Sequence, residues 1–205
     1  FEQYADWYEL GAPSIEGARF LIKLRSLSKI FEFFVFFRLF DYFIENKWTV
    51  LNSEIGVEYG DLIPNSICFE KNQTKITLSY ELKIFSYSHR TRHLDLIKLP
   101  YRDYPGNYWI PDYVMRIESP LKDGIRYIIL DAKYSNSFHV EKSHMGNLYN
   151  KYYQYTMVFD GSRNLVSRNQ IVGVFAIFPE DGSYSRRTPS LVNLGFPEFG
   201  VEGSK

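Results

Sequence analysis

The sequence predicts a mixed α/β domain, in which a mixed central β-sheet is flanked by helices and preceded by a long N-terminal helical segment. Three observations carry this expectation. A stretch free of proline and glycine near the N-terminus spaces its apolar residues by three and four. Strand-like runs then begin at about residue 54. A hairpin, a second helical pattern and a last apolar strand follow in that order.

Residues 14–46 read as mostly helical, with Ser14 and Glu16 at a first helix start. Phe20, Leu24, Leu27, Phe31 and Phe34 form one stripe, and Ile30, Phe33, Phe37, Phe40 and Ile44 a second. A helix apolar on two sides is expected to be covered on both. Residues 75–87 alternate apolar and polar residues, as a half-buried strand does. Residues 88–108 carry two prolines and a glycine and read as a loop excursion. Residues 108–118 form the next strand, 119–124 (SPLKDG) a turn, and 125–134 a strand with a buried middle, together making a hairpin. Residues 145–159 read as a helix and 170–178 as an apolar strand. The part after 180 is expected to be peripheral, with a frayed EGSK end.

The chain has 205 residues, enough for one sizeable domain. Aromatic residues make up 18%, with 17 Tyr and 17 Phe, which supplies a large core and argues against disorder. The 24 basic and 24 acidic residues cancel, so a free-standing nucleic-acid binder driven by net charge is disfavoured. Cys68 stands alone, which rules out an internal disulfide and a cysteine-rich zinc module; a reducing, cytoplasmic setting is the expectation. The most apolar run, residues 30–40, carries Glu32 and Arg38 and is shorter than a membrane span of about 20 residues, so it reads as a buried helix. The start at Phe1 reads as a piece of a longer chain.

The stretch 110–134, IPDYVMRIESPLKDGIRYIILDAKY, places the chemistry. Asp131 and Lys133 are one residue apart on a strand, so their side chains leave the same face, while Ala132 points into packing. Antiparallel pairing across the 119–124 turn brings Asp112 beside them at one end of the sheet. Two carboxylates there can hold Mg²⁺, with waters completing the octahedron. A lysine beside the cation can orient or deprotonate a water, or stabilise charge building on a phosphate. This set of groups suits phosphodiester hydrolysis.

Pro111-Asp112, an interval of 18 residues, then Asp131-Ala132-Lys133 resembles the PD-(D/E)xK nuclease superfamily. With the aromatic helix before the sheet, the helix MGNLYNKYYQY and the strand IVGVFAIFPEDG, residues 20–180 are similar to the nuclease domain of McrC-like and LlaJI-like restriction subunits. The resemblance implies a restriction-endonuclease-like core and an endodeoxyribonuclease of a restriction or antiviral defence system. It implies that Mg²⁺, with Mn²⁺ as a substitute, is held by Asp112 and Asp131, with Lys133 as the catalytic lysine. Glu32 would be an extra metal ligand or an acid just behind the ligands. Tyr153 and Gln154 look like a Tyr-Gln pair facing the site, although Val158 stands where a Gln-x-x-x-Tyr pattern would place its tyrosine. The implied partners are DNA and a separate NTP-driven AAA+ motor.

Each of these residues also has a plainer role. Asp112 can open a strand after a turn, Asp131 and Lys133 can be a solvated pair, Glu32 can pair with Lys29, and Gln154 can be structural. The nuclease fold can also serve as a catalytically inactive scaffold or interaction domain, but a scaffold has no use for the acid-acid-lysine set. His139 and His144, five apart, do not have the spacing of a zinc-helix pair and read as loop or helix-start residues. The basic patches HRTRH (89–93) and SRR (185–187) are solvated charge or phosphate contacts. No Gly-rich phosphate loop is present, so ATP binding by this chain is not expected.

Overall fold

A computed structural model of the chain describes residues 27–55, 64–86, 96–102, 105–120, 122–160, 165–179 and 198–204. Residues 14–26, HRTRH and SRR lie outside the described residues.

The first element is helix α1 (Leu27–Glu45). Its C-terminus is closed by a pair of reversed backbone bonds: Trp48 N–H donates to the Phe43 carbonyl at 2.9 Å and Lys47 N–H to the Ile44 carbonyl at 2.9 Å. Lys47 takes φ 59°, the left-handed conformation this closure demands. The rings of Trp48 and Phe43 then meet edge to face at 5.5 Å, the apolar contact that accompanies such an end.

Strands β1 (Thr49–Ile55), β2 (Pro64–Lys71) and β3 (Thr74–Tyr80) form an antiparallel meander. Asn72 and Gln73 alone separate β2 from β3, and both have positive φ, 50° and 63°, as the right-handed twist of a two-residue hairpin requires. The chain continues through β4 (Ile84–Phe85), β5 (Leu96–Lys98), β6 (Tyr108–Trp109), β7 (Tyr113–Ser119) and β8 (Lys122–Ala132). A helical segment, α2 (137–154), is followed by β9 (Thr156–Asp160), β10 (Leu165–Ser167), β11 (Ile171–Pro179) and β12 (Glu198–Ser204).

Seven strands make the main sheet, in the order β1-β2-β3-β7-β8-β11-β12. It is antiparallel as far as β8; β11 then runs parallel to β8 and β12 parallel to β11. A three-stranded sheet, β10-β9-β5, and the ribbon β4-β6 lie apart from it. The expected mixed sheet with a long helix before it is therefore present.

Side chains alternate across the sheet and fill two cores. On one side Phe31, Phe33, Val35, Phe36 and Phe43 of α1 pack on Phe69, Leu78, Tyr113, Leu130 and Ala132. On the other, Val140, Met145, Leu148 and Tyr152 of α2 pack on Val114, Ile129, Val174, Ala176 and Phe178. The sheet is thus sandwiched between α1 and α2.

Several boundaries differ from the sequence reading. The alternation over 75–87 is cut at Glu81, whose φ of 50° turns the chain, so β3 ends at Tyr80 and the two-residue β4 follows. The strand expected over 108–118 breaks at Pro111, which has no N–H for a ladder; Tyr108–Trp109 pairs with β4 and only Tyr113–Ser119 joins the main sheet. The second helix spans 137–154 rather than 145–159, because Thr156, Val158 and Phe159 are drawn into β9. The C-terminal residues Glu198–Ser204 extend the main sheet rather than fray, satisfying the free edge of β11. On α1 the two expected stripes mix: Ile30, Phe34, Phe37 and Ile44 are exposed, and the buried row is 33, 36 and 43 with 31 and 35 beside it.

Candidate active site

The β7–β8 hairpin sets the register that assembles the site. Tyr113 pairs with Leu130, so one step further Asp112 meets the end of β8. Its Oδ2 accepts the Ala132 N–H at 2.6 Å, and its carbonyl accepts the Glu81 N–H at 2.9 Å. The kink at Glu81 that ends β3 therefore anchors Asp112 from one side while β8 anchors it from the other. Pro111 supports the same geometry by ending the β4–β6 ribbon just before it.

Asp131 lies on β8 with only 4% of its surface exposed. It faces the α2 side of the sheet, as does its neighbour Ile129, whereas Ala132 is buried against α1 as the alternation predicts. The ammonium of Lys133 forms an ion pair with Asp131 Oδ2. The Lys133 N–H donates to the Ile177 carbonyl of β11 at 2.7 Å, which fixes the lysine backbone at the strand end.

The electrostatics follow from this crowding. Burial, then the negative charges of Asp131 and Glu32, push the Asp112 carboxyl well above the usual range; Lys133 and the Ala132 N–H oppose them. Burial works against the Lys133 ammonium, but Asp131 and Asp112 outweigh it and hold the lysine protonated. The site thus gathers Asp112, Asp131, Lys133 and the charge of Glu32 at one end of the sheet.

Glu32 reaches this end from α1. Its Oε2 accepts Lys29 Nζ at 2.8 Å and the Tyr80 hydroxyl at 3.0 Å, while its backbone carbonyl accepts the Tyr113 hydroxyl. Lys29 also bonds Glu81 at 2.5 Å. The pairing of Glu32 with Lys29 is therefore present, and the same carboxylate acts electrostatically on Asp112.

On α2 the structure brings forward a different tyrosine from the expected pair. The hydroxyl of Tyr152 donates to the Ile110 carbonyl at 3.0 Å and feels the charges of Asp131 and Asp112. Burial, with the charges of Asp131 and Asp112, keeps this phenol protonated by raising its pKa well above the ordinary value. Tyr153 is instead buried against Tyr149, ring centroids 5.3 Å apart, with the Arg168 guanidinium over its face. Gln154 is exposed, and its backbone carbonyl accepts Arg168 at 2.9 Å. The stripe Met145, Leu148, Tyr152, with three- and four-residue steps, was the signal in the sequence that could have singled out Tyr152.

The two histidines also differ from expectation. Residues Val140–His144 form a π-helical turn, in which Met145 N–H bonds the Val140 carbonyl five residues back. Side chains five apart then stack along the helix, and the His139 and His144 rings meet edge to face at 5.1 Å. Burial and the charges of Lys133 and His139 lower the His144 pKa against an opposing effect of Asp131, so this turn lies beside the acid pair.

Among the described residues no group of three or more His, Cys, Asp or Glu side chains is arranged to hold a metal ion. The residues present fit a hard cation in a narrower way. Two carboxylates meet at a strand end, where burial first and then the charge of Asp131 raise Asp112; a cation would offset that charge, and waters would complete its shell. Among the described residues no helix is long and apolar enough to cross a membrane. Comparison with protein-family models, with curated proteins and with solved structures finds no match to this chain.

Proposed function

We propose that the chain is a metal-dependent nuclease domain that hydrolyses phosphodiester bonds in DNA, the cutting part of a restriction or defence system. The observation that carries the reading is the meeting of Asp112 and Asp131 on adjacent strand ends, with Lys133 on the Asp131 carboxylate. Structural surface pairs rarely crowd two acids together at such a cost in proton affinity; sites that bind cations do.

Asp112 and Asp131 would hold Mg²⁺ or Mn²⁺. Bound there, the cation supplies charge neutralisation at the phosphate and lowers the pKa of a water. The remaining work belongs to the chain. The Ala132 N–H orients Asp112, and Lys133 pairs with Asp131. Lys133 keeps a protonated ammonium at the site, where it stabilises charge that grows on a phosphate oxygen or positions the attacking water. Glu32 adds negative charge from α1 and raises the attraction of the site for a cation. The balanced net charge fits a nuclease delivered to DNA by a partner; the resemblance suggests an AAA+ motor and a cytoplasmic setting.

A second reading has an observation in its favour. Asp131 is closed by Lys133 and Glu32 by Lys29, which also suits a catalytically inactive nuclease-fold scaffold. Metal titration calorimetry and plasmid cleavage decide between them. Lys133→Ala is expected to keep cation binding but lose Mg²⁺-dependent cleavage by about a hundredfold or more. Asp131→Asn is expected to lose both together. A Lys133→Ala protein that cuts at the normal rate would sink the assignment of this site.

A further inference from the structure

The chain just after Lys133 exposes two aromatic rings. Tyr134 is 51% and Phe138 63% exposed. Tyr134 rests one side of its ring against Phe31, centroids 5.9 Å apart. Phe138 stands in the first turn of α2, and Lys142, four residues on, lays its ammonium 4.2 Å from the ring centroid. The π-helical turn that follows brings the His139 and His144 rings together, and Glu141 is the single acid between 134 and 144. Scattered exposed apolar residues need no explanation. This segment is different in kind: it leaves the site directly after Lys133 and carries two exposed rings, one with an ammonium over its face.

That chemistry matches one ligand class. A flat ring offers a stacking face to any unpaired base, and neighbouring cations meet the phosphates between bases. Intact duplex hides its base faces in its own stack, so exposed rings gain nothing from it. Resting on the nuclease reading above, we infer that Tyr134 and Phe138 are a stacking platform for an unpaired nucleotide beside the Asp112/Asp131/Lys133 site. The substrate class is then single-stranded or locally opened DNA in preference to closed duplex.

The test uses one short DNA oligonucleotide carrying a fluorescent adenine analogue, as a single strand and as a duplex. Binding is read in Ca²⁺ and cleavage in Mg²⁺. The single strand is expected to bind more tightly, with the fluorescence quenched by stacking. Phe138→Ala should weaken single-strand binding about tenfold and leave duplex binding unchanged. Phe138→Trp should restore it, and an unchanged melting temperature in both variants checks the fold. Equal loss on both substrates, or no loss on either, overturns the platform. If neither DNA is cut while Phe138-dependent quenching persists, the nuclease reading fails and the platform stands. If cutting is indifferent to Phe138 on both forms, the platform fails and the nuclease reading stands.

Discussion

Asp131 sits almost out of water, with the Lys133 ammonium on its carboxylate and the Tyr152 phenol under its charge. The two do different work, and substitution separates them. Tyr152→Phe keeps the ring in the α2 core but removes the hydroxyl that bonds the Ile110 carbonyl and lies under the charge of Asp131. We expect cleavage to fall about tenfold with a stability loss of about 1 kcal/mol, the size of one net hydrogen bond. Tyr153→Phe should leave cleavage near normal, because its ring faces Tyr149 and Arg168. Single-turnover rates with urea melts compare the two; equal loss in both variants would remove Tyr152 from the site. The sequence made Asp112, Asp131 and Lys133 legible because a period of two and one turn fix their neighbourhood. It picked out Tyr153 although the steps Met145, Leu148, Tyr152 mark the neighbouring ring, and the π-helical turn at Val140–His144 left no compositional mark at all. That turn hid the approach of His139 to His144.

Elements end where a few left-handed residues allow it, and several of these are not glycine. Lys47 closes α1 and Gln73 closes the β2–β3 hairpin, each with a Cβ in a conformation that disfavours one. Lys47→Gly and Gln73→Gly are each expected to stabilise the fold by about 1 kcal/mol, read as a higher urea midpoint at unchanged slope. A lowered midpoint at Gln73 would show that the side chain contributes more than the turn geometry costs. Glu81 is a poor third choice despite its φ of 50°, since glycine there would also delete the bond to Lys29. These positions explain which boundaries could be read from sequence. The β7–β8 hairpin was legible from the proline in SPLKDG, but its turn is tighter than 119–124: Ser119 ends β7 and residues 122–124 already belong to β8. The end of α1 was legible at 46, within one residue of Glu45, but the break at Glu81 was not, because glutamate carries no turn signal. Strand β12 was hidden for another reason: its partner is β11, and a parallel pairing is a tertiary fact.

For the whole molecule, the two cores either side of the sheet stabilise a fold that holds a costly end. Asp112 is the clearest expense. Its pKa in the folded chain is raised by burial and by Asp131 and Glu32, whereas in the unfolded chain it returns to about 3.9. Between those two values the folded state binds the proton more tightly than the unfolded state does. Stability contributed by this group is therefore present at low pH and lost as pH rises toward the folded value. Without metal, this group should make the protein melt at a lower temperature at an upper pH, above the folded value of Asp112, than at a lower pH beneath it. A divalent cation that binds the folded state reverses the loss, by about 2.7 kcal/mol at a hundred times its dissociation constant. Mg²⁺ or Mn²⁺ should thus raise the melting temperature strongly at the upper pH and weakly at the lower, where protonated Asp112 competes with it. Asp112→Asn keeps an oxygen for the Ala132 N–H but carries no charge. That variant should melt higher than the parent in metal-free buffer at the upper pH, show a flatter pH dependence and respond little to either cation. Scanning calorimetry over both pH values, with and without metal, reads all three. A parent protein indifferent to Mg²⁺ and Mn²⁺ at the upper pH would mean that Asp112 and Asp131 hold no cation, and that their crowding serves the fold alone.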